Sequence, residues 1–115
     1  MAFDTSLLDE ALARRRAGQE RERRQILADT LRLLDELGPR YRIQRAYIFG
    51  SVTRPGRFTP DSDVDIAVEM TEPEHLTAIS VFAAALGREV DLVDLGKCHF
   101  SHRIRQEGIE WTKAG

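Results

Sequence analysis

Tyr47-Ile48-Phe49-Gly50-Ser51 and, one loop later, Ser62-Asp63-Val64-Asp65-Ile66-Ala67-Val68 are the two segments whose reading decides the fold. The first is an apolar run that stops at a Gly-Ser turn. The second sets two aspartates on alternate positions among branched apolar residues. Strand side chains alternate faces with a period of two, so Asp63 and Asp65 project from one face while Val64, Ile66 and Val68 enter a core. Carboxylates side by side on a rigid strand repel each other unless a cation lies between them. Hard cations such as Mg²⁺ take oxygen ligands and commonly combine carboxylates with substrate phosphates. The pattern predicts a metal site facing a phosphate-binding turn.

This Gly-Ser…Asp-x-Asp arrangement resembles the nucleotidyltransferase superfamily that includes DNA polymerase β, and most closely its small single-domain branch, the minimal nucleotidyltransferases (MNT domains). The resemblance is detailed from Gln44 to Leu95 and weaker to the C-terminus. It rests on both motifs occurring in strand context and in this order, since either alone is common. It implies a third carboxylate on a neighbouring strand, and the candidate is Asp91 in Arg88-Glu89-Val90-Asp91-Leu92-Val93-Asp94-Leu95. Val90 and Leu92 are expected on one side of that strand, Asp91 and Val93 on the other. Asp94 is the competitor, but alternation turns it to the Val90 face. The alternative role for Asp91 is an ion pair with an arginine such as Arg88. With strands roughly 4.8 Å apart, three such carboxylates can surround two Mg²⁺ ions about 3.5–4 Å apart.

The chemistry implied by the resemblance is transfer of a nucleoside monophosphate from an NTP, taken as ATP, to a hydroxyl with release of pyrophosphate. Asp63, Asp65 and Asp91 are then the catalytic and metal-holding residues. Gly50, lacking a Cβ, allows close approach to a phosphate in a tight turn. Ser51 is expected to offer a hydroxyl and a backbone N–H to the β and γ phosphates at the start of a short helix. Arg54 matches a position where the family usually has arginine, and a guanidinium can grip a phosphate through two hydrogen bonds. Its other reading is a loop charge or a partner for Asp61, and Arg57 is a weaker candidate. Ser62 is expected to orient an aspartate or contact the nucleotide. Eleven residues separate Ser51 from Asp63, where the minimal enzymes usually have about ten. Pro55, Gly56 and Pro60 predict a stiff turn that absorbs the extra residue.

At 115 residues the chain is expected to be one domain with a single core, lacking an acceptor-binding domain of its own. It has no apolar run near 18 residues and no signal-peptide pattern, which predicts a cytoplasmic protein without membrane attachment. The single cysteine, Cys98, excludes an internal disulfide. A net charge of −2 argues against general nucleic-acid binding. Basic residues are 15 Arg against 2 Lys, a bias we do not read as function.

The N-terminal region divides by composition. Thr5 and Ser6 followed by Asp9 and Glu10 predict a helix start, with Leu7, Leu8, Ala11 and Leu12 as a short apolar face. Arg14 to Arg24 is almost wholly charged. Residues 1–37 hold eight acids against seven bases, which predicts a solvated helix face rather than a nucleic-acid patch. Ile26, Leu27, Thr30, Leu31, Leu34 and Leu37 restore helical spacing up to Gly38-Pro39. The expected division is an N-terminal helical arm over 1–24 and the minimal domain over 25–115. Further on, Thr71 to Glu74 predicts a capping box, opening a helix with Leu76, Ile79, Phe82, Ala83 and Leu86 on one face and Gly87 at its end. Phe100 and Ile104 mark a last short helix closing near Gly108, followed by Ile109 and Trp111. His99 and His102 are read as surface residues rather than metal ligands.

The fold class expected is α+β: a small mixed sheet of three to four strands with helices mainly on one face. Minimal nucleotidyltransferases are typically partners of HEPN-domain toxins. The resemblance therefore implies an antitoxin that transfers AMP to a tyrosine of its toxin. Two other readings are a non-catalytic antitoxin subunit and a transferase acting on a small molecule or a nucleic-acid end. Self-association or a hetero-complex is compatible with each.

Overall fold

Apolar residues at three- and four-residue spacing in the second half of the first helix, and charge in its first half, dictate how it is used. In the computed structural model, which describes residues 5–70 and 75–113, helix α1 runs unbroken over Ser6–Leu37. Its 32 residues span about 48 Å at 1.5 Å per residue. The Thr5 hydroxyl meets the Asp9 carboxylate at 3.4 Å across the first turn. Leu7, Leu8 and Leu12 stay exposed, whereas Ile26, Thr30 and Leu34 are buried. Thr30 satisfies its buried hydroxyl by donating to the Ile26 carbonyl at 2.7 Å. Arg23 departs from the expected solvated face: it is buried among the charged residues of that stretch.

Strand β1 (Ile43–Phe49) leads into a single 3-10 turn over Ser51–Thr53, then come β2 (Val64–Met70), α2 (His75–Leu86), β3 (Val90–Asp94), a second 3-10 turn over Leu95–Lys97, α3 (Ser101–Glu107) and β4 (Ile109–Thr112). The four strands form one mixed sheet in the order β3-β2-β1-β4. β1 is antiparallel to β2 and to β4, while β2 and β3 are parallel and joined through α2, as a parallel pair requires. The fold is the α+β arrangement expected from the sequence.

Period-two alternation distributes the two faces. Ala46, Ile48, Val64, Ile66, Val68, Val90 and Leu92 join Ile26 and Leu34 of α1 and Ala78, Phe82 and Leu86 of α2 in the main core. The opposite face is thinner: Tyr47, Ala67, Leu95 and Ile104 pack there, with Phe49, Val93 and Cys98 partly buried beside them. This is the face that carries Asp65 and Asp91. The expected capping box at Thr71 to Glu74, and the side chain of Leu76, lie outside the described residues. Among the described residues no helix is long and apolar enough to cross a membrane.

β4 has the alternation Ile-Glu-Trp-Thr, and pairing puts Trp111 beside Ala46. Its indole N–H donates to Asp35 at 2.8 Å, fastening the sheet edge to α1. Gly38 ends α1 with ordinary helical dihedrals, φ −53 and ψ −51. Its glycine is explained by contact instead, because a Cβ there would lie 2.5 Å from the Trp111 ring and 2.4 Å from the Leu34 carbonyl. Gly38→Ala is therefore expected to destabilise by about 1–3 kcal/mol, the usual range for overpacking. Thermal unfolding checks it, and an unchanged midpoint would contradict the close packing of Trp111.

Candidate functional site

The site begins where β1 ends. Gly50 has φ +80 and ψ −157, a region in which a side chain is strained. A Cβ on Gly50 would also sit 2.3 Å from Oδ2 of Asp65. The glycine thus turns the chain and lets a carboxylate lie against its backbone. Only one 3-10 turn follows, so the helix expected after Ser51 is too short to supply a macrodipole. The turn is closed by the Thr53 hydroxyl and amide, which donate to the Gly50 carbonyl at 2.7 and 3.1 Å. Arg23 reaches across from α1 and donates to the buried Val52 carbonyl at 3.1 Å, while Glu20 holds the same guanidinium through two contacts of 2.8 and 2.6 Å.

Strand register aligns the acids. Phe49 pairs with Asp65 across β1–β2, and Asp65 pairs with Asp91 across β2–β3. Paired residues point to the same face, so Phe49, Asp65 and Asp91 form a row across three strands, and Gly50, the next residue after Phe49, lies against the Asp65 carboxylate. Neighbouring strands lie roughly 4.8 Å apart, which makes that row about 10 Å long. Asp65 is half-buried, while Asp63 and Asp91 are exposed. Burial pushes the Asp65 carboxyl up to about 6, with further contributions from the charges of Asp91 and then Asp63. The three acids therefore share one electrostatic environment.

Among the described residues, no group of three His, Cys, Asp or Glu side chains is drawn together to hold a metal ion. The donor chemistry still suits one. All three groups are hard oxygen donors, and the Asp65 carboxyl, raised by burial and then by the charges of Asp91 and Asp63, would be relieved by a divalent cation between them. Asp63, Asp65 and Asp91 are the residues that would hold it.

Ser51 follows Gly50 directly in the turn. Arg54 is exposed and contacts Glu107 of α3 at 3.6 Å, rather than Asp61. The Ser62 hydroxyl accepts from the Thr59 amide at 2.9 Å and lies 3.2 Å from the Thr59 hydroxyl, so it closes the loop before Asp63. Arg88 does not pair with Asp91. Its guanidinium donates to the carbonyls of Thr59, Pro60 and Ser62 at 3.2, 3.1 and 2.9 Å and lies over the Phe58 ring at 4.3 Å, with Glu22 of α1 as its carboxylate partner. The long loop is thus fastened just ahead of Asp63. The Asp94 carboxylate caps the second 3-10 turn by accepting from the Gly96 amide at 2.9 Å, a structural role.

Neither the role of Arg23 nor a cavity beside Gly50 and α3 is legible in the sequence. The cavity has a volume of about 330 Å³ and is lined by Gly50, Arg54, Phe100, Arg103 and Glu107 among others. The spacing of Arg103 and Glu107 at i and i+4 on a short helix was the available signal, but that spacing is common on any exposed helix.

A family model described as polymerase beta, nucleotidyltransferase, matches residues 33–112. Among solved structures, the chain is similar to a toxin–antitoxin crystallised with AMP-PNP, at 28% identity and a TM-score of 0.58, with 75% of this chain and 73% of that chain covered. It is similar also to a structure described as a minimal nucleotidyltransferase, at 26% identity and a TM-score of 0.59, covering 74% of this chain and 92% of that one. A third is the toxin–antitoxin MntA–HepT, at 25% identity and a TM-score of 0.50, covering 83% and 74%. No curated protein matches the chain.

Proposed function

The chain belongs to the polymerase β nucleotidyltransferase family, and on that premise we propose that it is a cytoplasmic antitoxin that transfers AMP from ATP to a hydroxyl of a partner toxin, in the simplest case a tyrosine of a HEPN-type protein. The observation that carries this reading is the row in which Gly50 abuts Asp65 and Asp65 pairs with Asp91. A glycine turn for phosphates and converging acids on neighbouring strands is the minimum equipment for nucleotidyl transfer. Similarity to toxin–antitoxin structures, one of them holding AMP-PNP, supports the partner and the nucleotide.

Gly50 and Ser51 accept the triphosphate at the turn. Divalent ions such as Mg²⁺, two in the family's chemistry, would neutralise phosphate charge and lower the pKa of the acceptor hydroxyl. Asp63 and Asp65 face the α-phosphate side of the turn, and Asp91 faces the acceptor. The acceptor oxygen forms a bond to the α-phosphorus while the bond from that phosphorus to the bridging oxygen breaks. The electron pair leaves on pyrophosphate, and the hydroxyl proton passes to Asp91. Ser62 and Arg88 keep the preceding loop in place. An AMP group on the toxin would add bulk and negative charge at its own site.

Incubation with ATP labelled at the α-phosphate, Mg²⁺ and a HEPN-type toxin partner should place label on the toxin. A chelator should remove all of it. Toxin neutralisation with no label transferred would overturn the enzymatic reading in favour of a contact-only antitoxin.

A further inference from the structure

Displacement at the α-phosphorus is in line, so the acceptor and the departing pyrophosphate occupy opposite sides of that atom. The acid row gives this axis a direction. Asp91, the proton acceptor, lies on β3, Asp65 on β2, and Gly50 at the end of β1. The leaving group must then emerge on the β1 side, beyond Gly50. The cavity walled by Gly50 and α3 lies there, on the sheet face that carries the acids, since Ile104 of α3 packs with Tyr47 and Ala67. Its volume of about 330 Å³ is at the lower end of small-molecule sites.

Two guanidiniums line that cavity. Arg54 comes from the turn and Arg103 from α3. Both contact the same atom: Oε2 of Glu107 lies 3.6 Å from Arg54 and 3.2 Å from Arg103. A single carboxylate oxygen thus takes the place where a phosphate oxygen would bind two arginines. Arg54, Arg103 and Glu107 are each more than half exposed, and ion pairs of that kind are worth about 0–1 kcal/mol. They exchange readily for a ligand of higher charge. Pyrophosphate offers more negative charge and pairs of oxygens on one phosphorus that a guanidinium fork can grip bidentately.

We propose that Arg103, together with Arg54, holds the β and γ phosphates and the departing pyrophosphate, and that Glu107 is an internal anion they release when the nucleotide arrives. This rests on the nucleotidyl-transfer reading and adds α3 to its binding site. The bond that breaks runs from the α-phosphorus to the bridging oxygen. The electron pair develops on pyrophosphate, next to the two guanidiniums, so their attraction grows toward the transition state.

The test is equilibrium binding of ATP, pyrophosphate and AMP to the purified full chain in Mg²⁺. Arg103→Ala should weaken ATP and pyrophosphate by roughly tenfold, in line with a lost charge-assisted contact, and leave AMP unchanged. Glu107→Gln should tighten ATP and pyrophosphate several-fold, since the competitor is neutralised. Arg105→Ala removes the same charge from the same helix, at a side chain that contacts Glu69 at 3.0 Å instead, and should change none of the three. Equal ATP affinity in Arg103→Ala and the unaltered protein would overturn the assignment. Weaker binding by Glu107→Gln, or an equal loss by Arg105→Ala, would overturn it as well. If the unaltered protein binds neither ATP nor pyrophosphate, the transfer reading itself falls. Binding that is intact but insensitive to Arg103 removes only the role of α3.

Discussion

Asp65→Asn is expected to leave the protein more stable at neutral pH and to abolish nucleotidyl transfer. The two effects share one cause. Asp65 is half-buried beside Asp63 and Asp91, and its carboxyl is raised from 3.8 to about 6, first by burial and then by those neighbouring charges. The folded protein therefore binds this proton more tightly than the unfolded chain does. Below pH 3.8 the group is protonated in both states and has no effect on stability. Between about 4 and 6, stability falls as pH rises, and above 6 the whole deficit is present. Asparagine keeps the shape and removes the charge, so it removes the deficit. After discounting for solvent screening at a half-buried site, the gain above pH 6 is about 1 kcal/mol, or about 4 °C in Tm for a domain of this size. The gain should vanish below pH 4. Activity should fall roughly a thousandfold, the scale of losing a group that stabilises charge in the transition state. Thermal unfolding at pH 4 and pH 8, with Mg²⁺ withheld, checks the first half. A mutant less stable than the parent at pH 8 would show that Asp65 is a satisfied structural carboxylate.

Adding Mg²⁺ should narrow the difference, because a cation among the three acids stabilises the parent by mass action more than it stabilises the asparagine variant. This also explains why a protein would retain such a group. On the proposed reading, charges held at unfavourable separation would be the means of binding a cation and a triphosphate, with stability lost in exchange.

How far the site could be read in advance follows from the range of the interactions. Asp63, Asp65, Val64, Ile66 and Val68 announce themselves because the strand period is two and their pattern is local. Asp91 emerges from the same alternation in β3, and the register then brings it beside Asp65. Gly50 was legible as a turn, but its contact with the Asp65 carboxylate was not, because close approach across two strands leaves no mark on neighbouring residues. Arg23 and Arg88 show the same limit more sharply. Their partners Val52 and Glu22 stand 29 and 66 positions away. Long side chains that cover apolar surface and end in charge look alike in sequence whether they are solvated or buried. The stretch Arg14 to Arg24 consequently looks uniformly exposed in sequence, although one of its arginines braces the turn after Gly50 through the Val52 carbonyl. The pairing of Arg54 with Glu107 was hidden for a similar reason, since α3 returns over β1 only through tertiary packing.

Gly50→Ala should have the opposite effect on stability and the same effect on activity. The backbone at φ +80, ψ −157 is one that L side chains adopt at a cost of about 1–3 kcal/mol. The new methyl would lie 2.3 Å from Asp65 Oδ2 and 3.2 Å from its Cγ, so the carboxylate must swing away. It is the end of a side chain that moves, which predicts a folded protein with a lower Tm. Displacement of Asp65 from its row with Asp91 should reduce transfer by about a hundredfold, the typical consequence of a misplacement near 1 Å. A double-mutant cycle separates the two contributions. In an Asp65→Ala background the nearest clashing atoms are gone, so Gly50→Ala should retain only the backbone strain and cost less than it does in the parent. The difference is the coupling between turn and acid, expected at 0.5–3 kcal/mol for residues in contact. Full additivity in Tm and unfolding free energy would mean that Gly50 and Asp65 do not touch, and the proposed site would lose the contact that joins its turn to its acids.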